Sequence, residues 1–169
     1  MNLSGFFDGV SDWNDCCAAL AARTELERGT AFEYIVRHYL RTDPAYRAKL
    51  ADIWFHHEVP AELRTRLNFP SRDEGIDLLA RTHTGEFWAI QAKFRRDADA
   101  TLTHRELATF TSLAFTVCRE ISFALVCTTT ARIPGLLENL PHLGDLTAET
   151  WTSLGAEFFA SLRDSFGTT

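Results

Sequence analysis

The stretch that decides the fold runs Arg72-Asp73-Glu74-Gly75-Ile76-Asp77-Leu78-Leu79-Ala80, then after a short gap Gly85-Glu86-Phe87-Trp88-Ala89-Ile90-Gln91-Ala92-Lys93-Phe94. Two apolar runs flank His83-Thr84-Gly85, which reads as a β-hairpin with strands over 75–82 and 86–94. Side chains alternate across a strand, so Phe87, Ala89, Gln91 and Lys93 fall on one face of the second strand. With the loop centred on Thr84, facing residues have numbers that sum to about 168, setting Asp77 opposite Gln91 and Lys93 one diagonal step away. A bulge at the turn would slip this register by one.

Three polar groups converging among apolar neighbours demand a reason. A buried carboxylate costs several kcal/mol, on the order of 3–5, unless it is paired, hydrogen-bonded or bound to a metal. One reading is an Asp77–Lys93 salt bridge on a half-exposed hairpin. The other is a hard-cation site, in which Asp77 and the Gln91 carbonyl offer oxygens to Mg²⁺ and Lys93 lies beside an attacking water.

Working outward, helices are predicted over 12–28 and from Thr30 to about Arg41, where Phe32, Ile35, Val36, Tyr39 and Leu40 form one apolar face. Asp43-Pro44 starts a short helix. A strand is expected over 53–59 and a short helix over 60–67. Beyond the hairpin come a helix over 103–118, an apolar strand over 121–128, a helix over 133–140 and a last amphipathic helix over about 148–166. The pattern describes an α/β protein with a small mixed central β-sheet flanked by helices.

Composition agrees with a folded unit. Of 169 residues, 46% are hydrophobic and 24% charged, which excludes a disordered or fibrous chain. No apolar run approaches the roughly 18 residues needed to cross a bilayer, so no membrane role is expected. The four cysteines have no CxxC spacing and read as buried free thiols of a cytoplasmic protein. A net charge of −6 argues against indiscriminate coating of nucleic acid but leaves room for a local basic groove. His56-His57, on adjacent strand positions, would point to opposite faces and cannot chelate one ion. No P-loop or dinucleotide-binding glycine pattern is present.

Asp77, thirteen residues, then Gln91-Ala92-Lys93 resembles the PD-(D/E)xK nuclease pattern in its Q-x-K form. The fuller string quoted above looks like the Mrr-type endonuclease domain found at the N-terminus of type ISP restriction enzymes and large restriction helicases. The likeness is strongest over about 29–110. It implies a restriction endonuclease-like fold and hydrolysis of DNA phosphodiester bonds with Mg²⁺, or Mn²⁺ in its place. It also implies a single nuclease-like domain over 1–169, with a core of about 29–130, that belongs to a longer chain with helicase and methyltransferase parts. Dimerisation for double-strand cleavage is left open.

By the same resemblance Asp77, Gln91 and Glu33 hold the metal, and Lys93 acts as base or charge stabiliser. Glu33 lies in Gly29-Thr30-Ala31-Phe32-Glu33, similar to the family's Gly-x-x-Phe-Glu, although Thr30-x-x-Glu33 also reads as a helix capping box. Arg72, Arg95 and Arg96, with Arg64, Arg66 and Arg105, border the site and are candidates for phosphate contacts. Asp73 and Glu74 read as loop residues. The rival to cleavage is a non-cleaving DNA-binding or docking module of the same fold, motivated by the neutral amide at 91.

Overall fold

The computed structural model describes residues 5–72 and 74–166. Its elements are α1 (Trp13–Ala21), α2 (Glu25–Thr42), α3 (Pro44–Arg47), β1 (Leu50–Phe55), α4 (Ala61–Leu67), β2 (Leu78–Thr82), β3 (Phe87–Lys93), α5 (His104–Ser112), β4 (Ile121–Thr128), α6 (Gly135–Glu138), β5 (Leu143–Leu146), α7 (Ala148–Thr152) and α8 (Ala156–Phe166). The five strands form one sheet in sequence order. The pairs β1–β2 and β2–β3 are antiparallel, while β3–β4 and β4–β5 are parallel. This is the mixed α/β sheet expected.

Strand parity divides the core into two. Leu78, Ala80, Ile90, Leu125 and Cys127 pack under α1, α2, α7 and α8, together with Phe32, Ile35, Trp151 and Phe159. Leu79, Phe87, Ala89, Ala124 and Val126 pack on the other face with Leu67, Leu107 and Phe110 from α4 and α5. Trp151 also donates its indole N–H to the Thr128 carbonyl at 2.7 Å, satisfying both groups in the interior.

Several boundaries differ from expectation, each for a local reason. The helix expected over 12–28 stops at Ala21, because Thr24 and Glu27 form a reciprocal capping box that starts α2 at Glu25. The capping box expected at Thr30 and Glu33 is therefore absent: both lie inside α2. The first strand is Leu50–Phe55. There the Glu58 carboxylate takes the Phe55 N–H and turns the chain into a single 3₁₀ turn, His56–Glu58. The helix over 103–118 is α5 continued by a π-helical stretch, Leu113–Val117. The helix over 133–140 shrinks to α6, and the last helix is broken into α7 and α8.

The short strand β5 has no counterpart in the sequence reading. It runs beside β4 because Gly144 gives room to the Phe123 ring; a Cβ there would stand 2.7 Å from Phe123 Cζ. Cys16, Cys118 and Cys127 are buried free thiols and Cys17 is half-buried. No helix among the described residues is long and apolar enough to cross a membrane.

Candidate active site

The hairpin ladder obeys the expected register: Leu78 faces Ile90, Leu79 faces Ala89, Ala80 faces Trp88 and Arg81 faces Phe87, each pair summing to 168. It slips at Asp77. The Asp77 N–H donates to the Ile90 carbonyl at 3.0 Å, one residue short of Gln91. The Asp77 side chain supplies what the slipped backbone cannot, because its Oδ2 accepts the Ala92 N–H at 2.6 Å. On its other side the Asp77 carbonyl accepts the His56 N–H at 2.8 Å. Asp77 is thus held between the end of β1 and the residue separating Gln91 from Lys93. An ionised carboxylate accepting a backbone N–H is a strong, orienting contact.

Gly75 makes the approach to that position. It has φ +134°, in the region open to glycine, and packs against the Phe110 backbone of α5. Ile76 then enters the core, fully buried, and fixes the chain before Asp77. Beneath the site lies Cys127, opposite Ala92 in the parallel pair. Burial pushes its thiol well up, and the Asp77 and Asp145 carboxylates add to this, so it stays protonated.

Gln91 and Lys93 share the parity of Phe87 and Ala89, on the sheet face covered by α5. Gln91 is only 6% exposed, and its Oε1 has no hydrogen-bond partner among the described residues. A buried amide oxygen left without a partner costs about 1–3 kcal/mol. Lys93, at the last position of β3, is half-buried.

Glu33 comes from the opposite face. It is half-buried in the middle of α2, between Phe32, whose ring meets Phe94 at 6.1 Å, and Tyr34, whose ring meets Phe55 at 4.4 Å. Those two partners flank the Asp77 end of the hairpin, so Glu33 stands at the same end of the sheet. Asp77 lies against β3 by direct contact, whereas Glu33 belongs to the helix packed on the sheet.

The arginines divide. Arg95 is engaged: its guanidinium pairs with Glu106 and bonds the Phe94 carbonyl. Glu106 is also the capping-box partner of Thr103 at the start of α5. Burial pushes its carboxyl up, but the Thr103 N–H, Arg95 and the Thr103 hydroxyl outweigh it and hold the carboxyl down at about 2. Arg64 is bound to the carbonyls of His56, Val59 and Pro70, and Arg66 to Glu120. Arg72 is exposed with a 3.9 Å approach to Glu74, and Arg96 is exposed with one bond to the Ala21 carbonyl. Arg105 is exposed too. Asp73 lies outside the described residues. His56 and His57 sit on the 3₁₀ turn: the first bonds the Pro70 carbonyl, and the second stacks on Phe55.

Among the described residues no group of three or more His, Cys, Asp and Glu side chains could hold a metal. The side-chain oxygens at this end of the hairpin are the Asp77 carboxylate, bound to the Ala92 N–H, and the buried Gln91 amide. An amide oxygen of this kind is among the ligand types a hard cation takes. The Ala92 amide that anchors Asp77 was not foreseen, since no side-chain pattern reports a backbone donor. Gly75 was visible as the glycine preceding Ile-Asp-Leu.

Comparison with known proteins places this geometry. A protein-family model, the Mrr_cat_2 restriction endonuclease, matches residues 41–150, which include Asp77, Gln91 and Lys93 but not Glu33. No curated protein matches the chain. Among solved structures, the ATP-dependent type ISP restriction-modification enzyme LlaBIII bound to DNA is similar at a TM-score of 0.61 and 21% identity, over 84% of this chain. The chain spans 8% of that protein's length. With the model matching well over half of its length, and the motif strands paired as that fold requires, the chain belongs to the Mrr_cat_2 restriction endonuclease family.

Proposed function

We propose that this chain is a metal-dependent endonuclease domain that hydrolyses DNA phosphodiester bonds. Two observations at the hairpin end carry the reading: an Asp77 carboxylate clamped on the Ala92 N–H, and, at the preceding residue, a buried Gln91 oxygen with no partner among the described residues. Asp77 and Gln91 would hold Mg²⁺ or Mn²⁺, with Glu33 completing the set from α2. When bound, such an ion supplies positive charge to the scissile phosphate and acidity to a water.

The chain's own residues do the rest. The Ala92 N–H fixes the Asp77 carboxylate in direction. Lys93, two residues after Gln91 on the same face, steadies negative charge on the phosphate or orients the attacking water. The amide at 91 removes one negative charge from the ligand set, so Glu33 matters more here than in a site with a carboxylate at that position.

The similarity to a much longer ATP-dependent enzyme supports a further reading, that this domain works within a cytoplasmic restriction system beside a motor and a methyltransferase. Two copies would then meet to cut both strands. The neutral Gln91 favours one alternative: a module of the same fold that holds DNA without cutting it.

Titration with Mn²⁺ followed by calorimetry separates the two. The nuclease reading expects binding that is lost in Asp77→Asn; equal heats from parent and variant would discard it.

A further inference from the structure

One cleft lies not at Lys93 but along the free edge of the sheet. It holds about 510 Å³ between α2 and β1 and is bordered by Arg37, Arg41, Arg47, Asp52, Trp54 and Glu58. β1 is the outer strand and pairs only with β2. The cleft begins at the Asp77 end, since β1 closes on Leu78 at Phe55, and runs back toward Leu50.

Its carboxylates are already committed. Glu58 pairs with Arg37 at 2.8 Å, and Arg37 lies flat over the Phe55 ring at 3.6 Å. Asp52 pairs with Arg81. Arg41 and Arg47 form no ion pair with a carboxylate among the described residues. Arg41 donates to the edge carbonyl of Ile53 at 3.0 Å and lines the cleft. Burial and then the like charge of Arg37 lower its proton affinity, partly offset by the nearby Glu58 and Asp52 carboxylates.

The spacing along α2 links this cleft to the site. Glu33, Arg37 and Arg41 follow one another at i, i+4 and i+8, one stripe of the helix rising about 5–6 Å per step. The stripe starts at the candidate metal ligand and passes along the edge cleft to Arg41. Arg47, from α3, borders the same cleft.

We propose that this cleft is the track for the DNA backbone flanking the scissile phosphate, with Arg41 and Arg47 taking successive phosphates on the side away from Lys93. The proposal rests on the nuclease reading above and adds the direction in which the bound strand leaves the site. It replaces Arg95, which Glu106 holds, as the source of backbone contacts. Contacts of this kind give affinity without sequence preference and are strongly salt-dependent.

The test is DNA binding by fluorescence anisotropy between 50 and 200 mM salt, without divalent metal, on a labelled duplex. Parent, Arg47→Gln, Arg41→Gln/Arg47→Gln and Arg119→Gln are compared, and each is checked for thermal stability. Arg119 is an exposed arginine just before β4, at the opposite end of the sheet from the site. Removing one arginine–phosphate pair lowers the slope of log affinity against log salt by about 0.9. The expected result is a slope shallower by about one in Arg47→Gln and by about two in the double variant, with affinity about tenfold or more lower at low salt. Arg119→Gln behaves as the parent. An unchanged slope in Arg47→Gln overturns the track, as does an equal loss in Arg119→Gln, which would report net charge alone. Plasmid cleavage by the parent with an unchanged slope in both variants sinks the track and leaves the nuclease reading standing. No DNA binding by the parent overturns both.

Discussion

The Asp77 carboxylate accepts the Ala92 N–H at 2.6 Å, filling the place of a backbone carbonyl where the hairpin ladder slips by one residue. The same contact anchors the fold and aims the side chain, and two substitutions separate these roles. Asp77→Asn retains an oxygen to accept the Ala92 N–H and should keep the melting temperature within a few degrees while abolishing metal binding. Asp77→Ala leaves that amide without its acceptor and should cost about 1–3 kcal/mol in denaturant unfolding as well. Equal stability loss in both would mean that the charge, not the hydrogen bond, holds the strand end.

Gln91 offers the converse. Its buried Oε1 has no partner among the described residues, so the metal-free protein bears a desolvation cost there. Gln91→Met removes the orphaned oxygen while keeping the volume, and should stabilise the metal-free protein by about 1 kcal/mol. The same variant should lose Mn²⁺ binding. A destabilised Gln91→Met would show that the amide is satisfied in solution and serves the core.

The pairing of Arg95 with Glu106 predicts a pH effect. The Glu106 carboxyl is held at about 2, below the ordinary carboxylate value near 4.5, so it binds protons more readily unfolded than folded. Its contribution to stability is complete above pH 4.5 and is lost as pH falls from there toward 2. Melting temperature should therefore drop over that window in the parent and drop less in Glu106→Gln, which starts lower at pH 7. Identical acid profiles would remove Glu106 from the acid response. Arg95→Ala should lower stability at neutral pH and leave the salt slope of DNA binding unchanged.

Gly75 carries φ +134° immediately before the buried Ile76. Gly75→Ala has room for its Cβ but not the backbone conformation, and should cost about 1–3 kcal/mol. Because the strain falls two residues from Asp77, cleavage should fall more steeply than stability. A fully active, equally stable Gly75→Ala would mean that the loop relaxes without moving Asp77.

Much of this was legible in the chain. Alternation in Phe87–Lys93 and the short turn at Thr84 gave the hairpin register for four residue pairs, because a buried face leaves little freedom to slip. The slip at Asp77 was not legible, since it depends on a side chain replacing a backbone acceptor. Parity placed Gln91 and Lys93 together, yet could not orient Asp77, which leaves the strand before the ladder ends. Glu33 enters the candidate set through resemblance alone. The start of α2 at Glu25 followed a capping box at Thr24 that competed with the one read at Thr30. Arg95 looked like a phosphate contact because its partner Glu106 is eleven residues away, on an element whose packing no local pattern reveals. β5 was missed because its four residues, Leu143–Leu146, owe their pairing to the space at Gly144.

The central claim is that the hairpin end is a hydrolytic site. It is tested most directly by nicking of supercoiled plasmid with Mn²⁺ or Mg²⁺, comparing the parent protein with Lys93→Ala. The account predicts metal-dependent nicking by the parent and a loss of at least about a hundredfold in the variant, the usual scale for removing one charge-stabilising or proton-transferring group. Equal nicking by both proteins would contradict it, as would a parent that binds plasmid in the presence of either metal and never cuts.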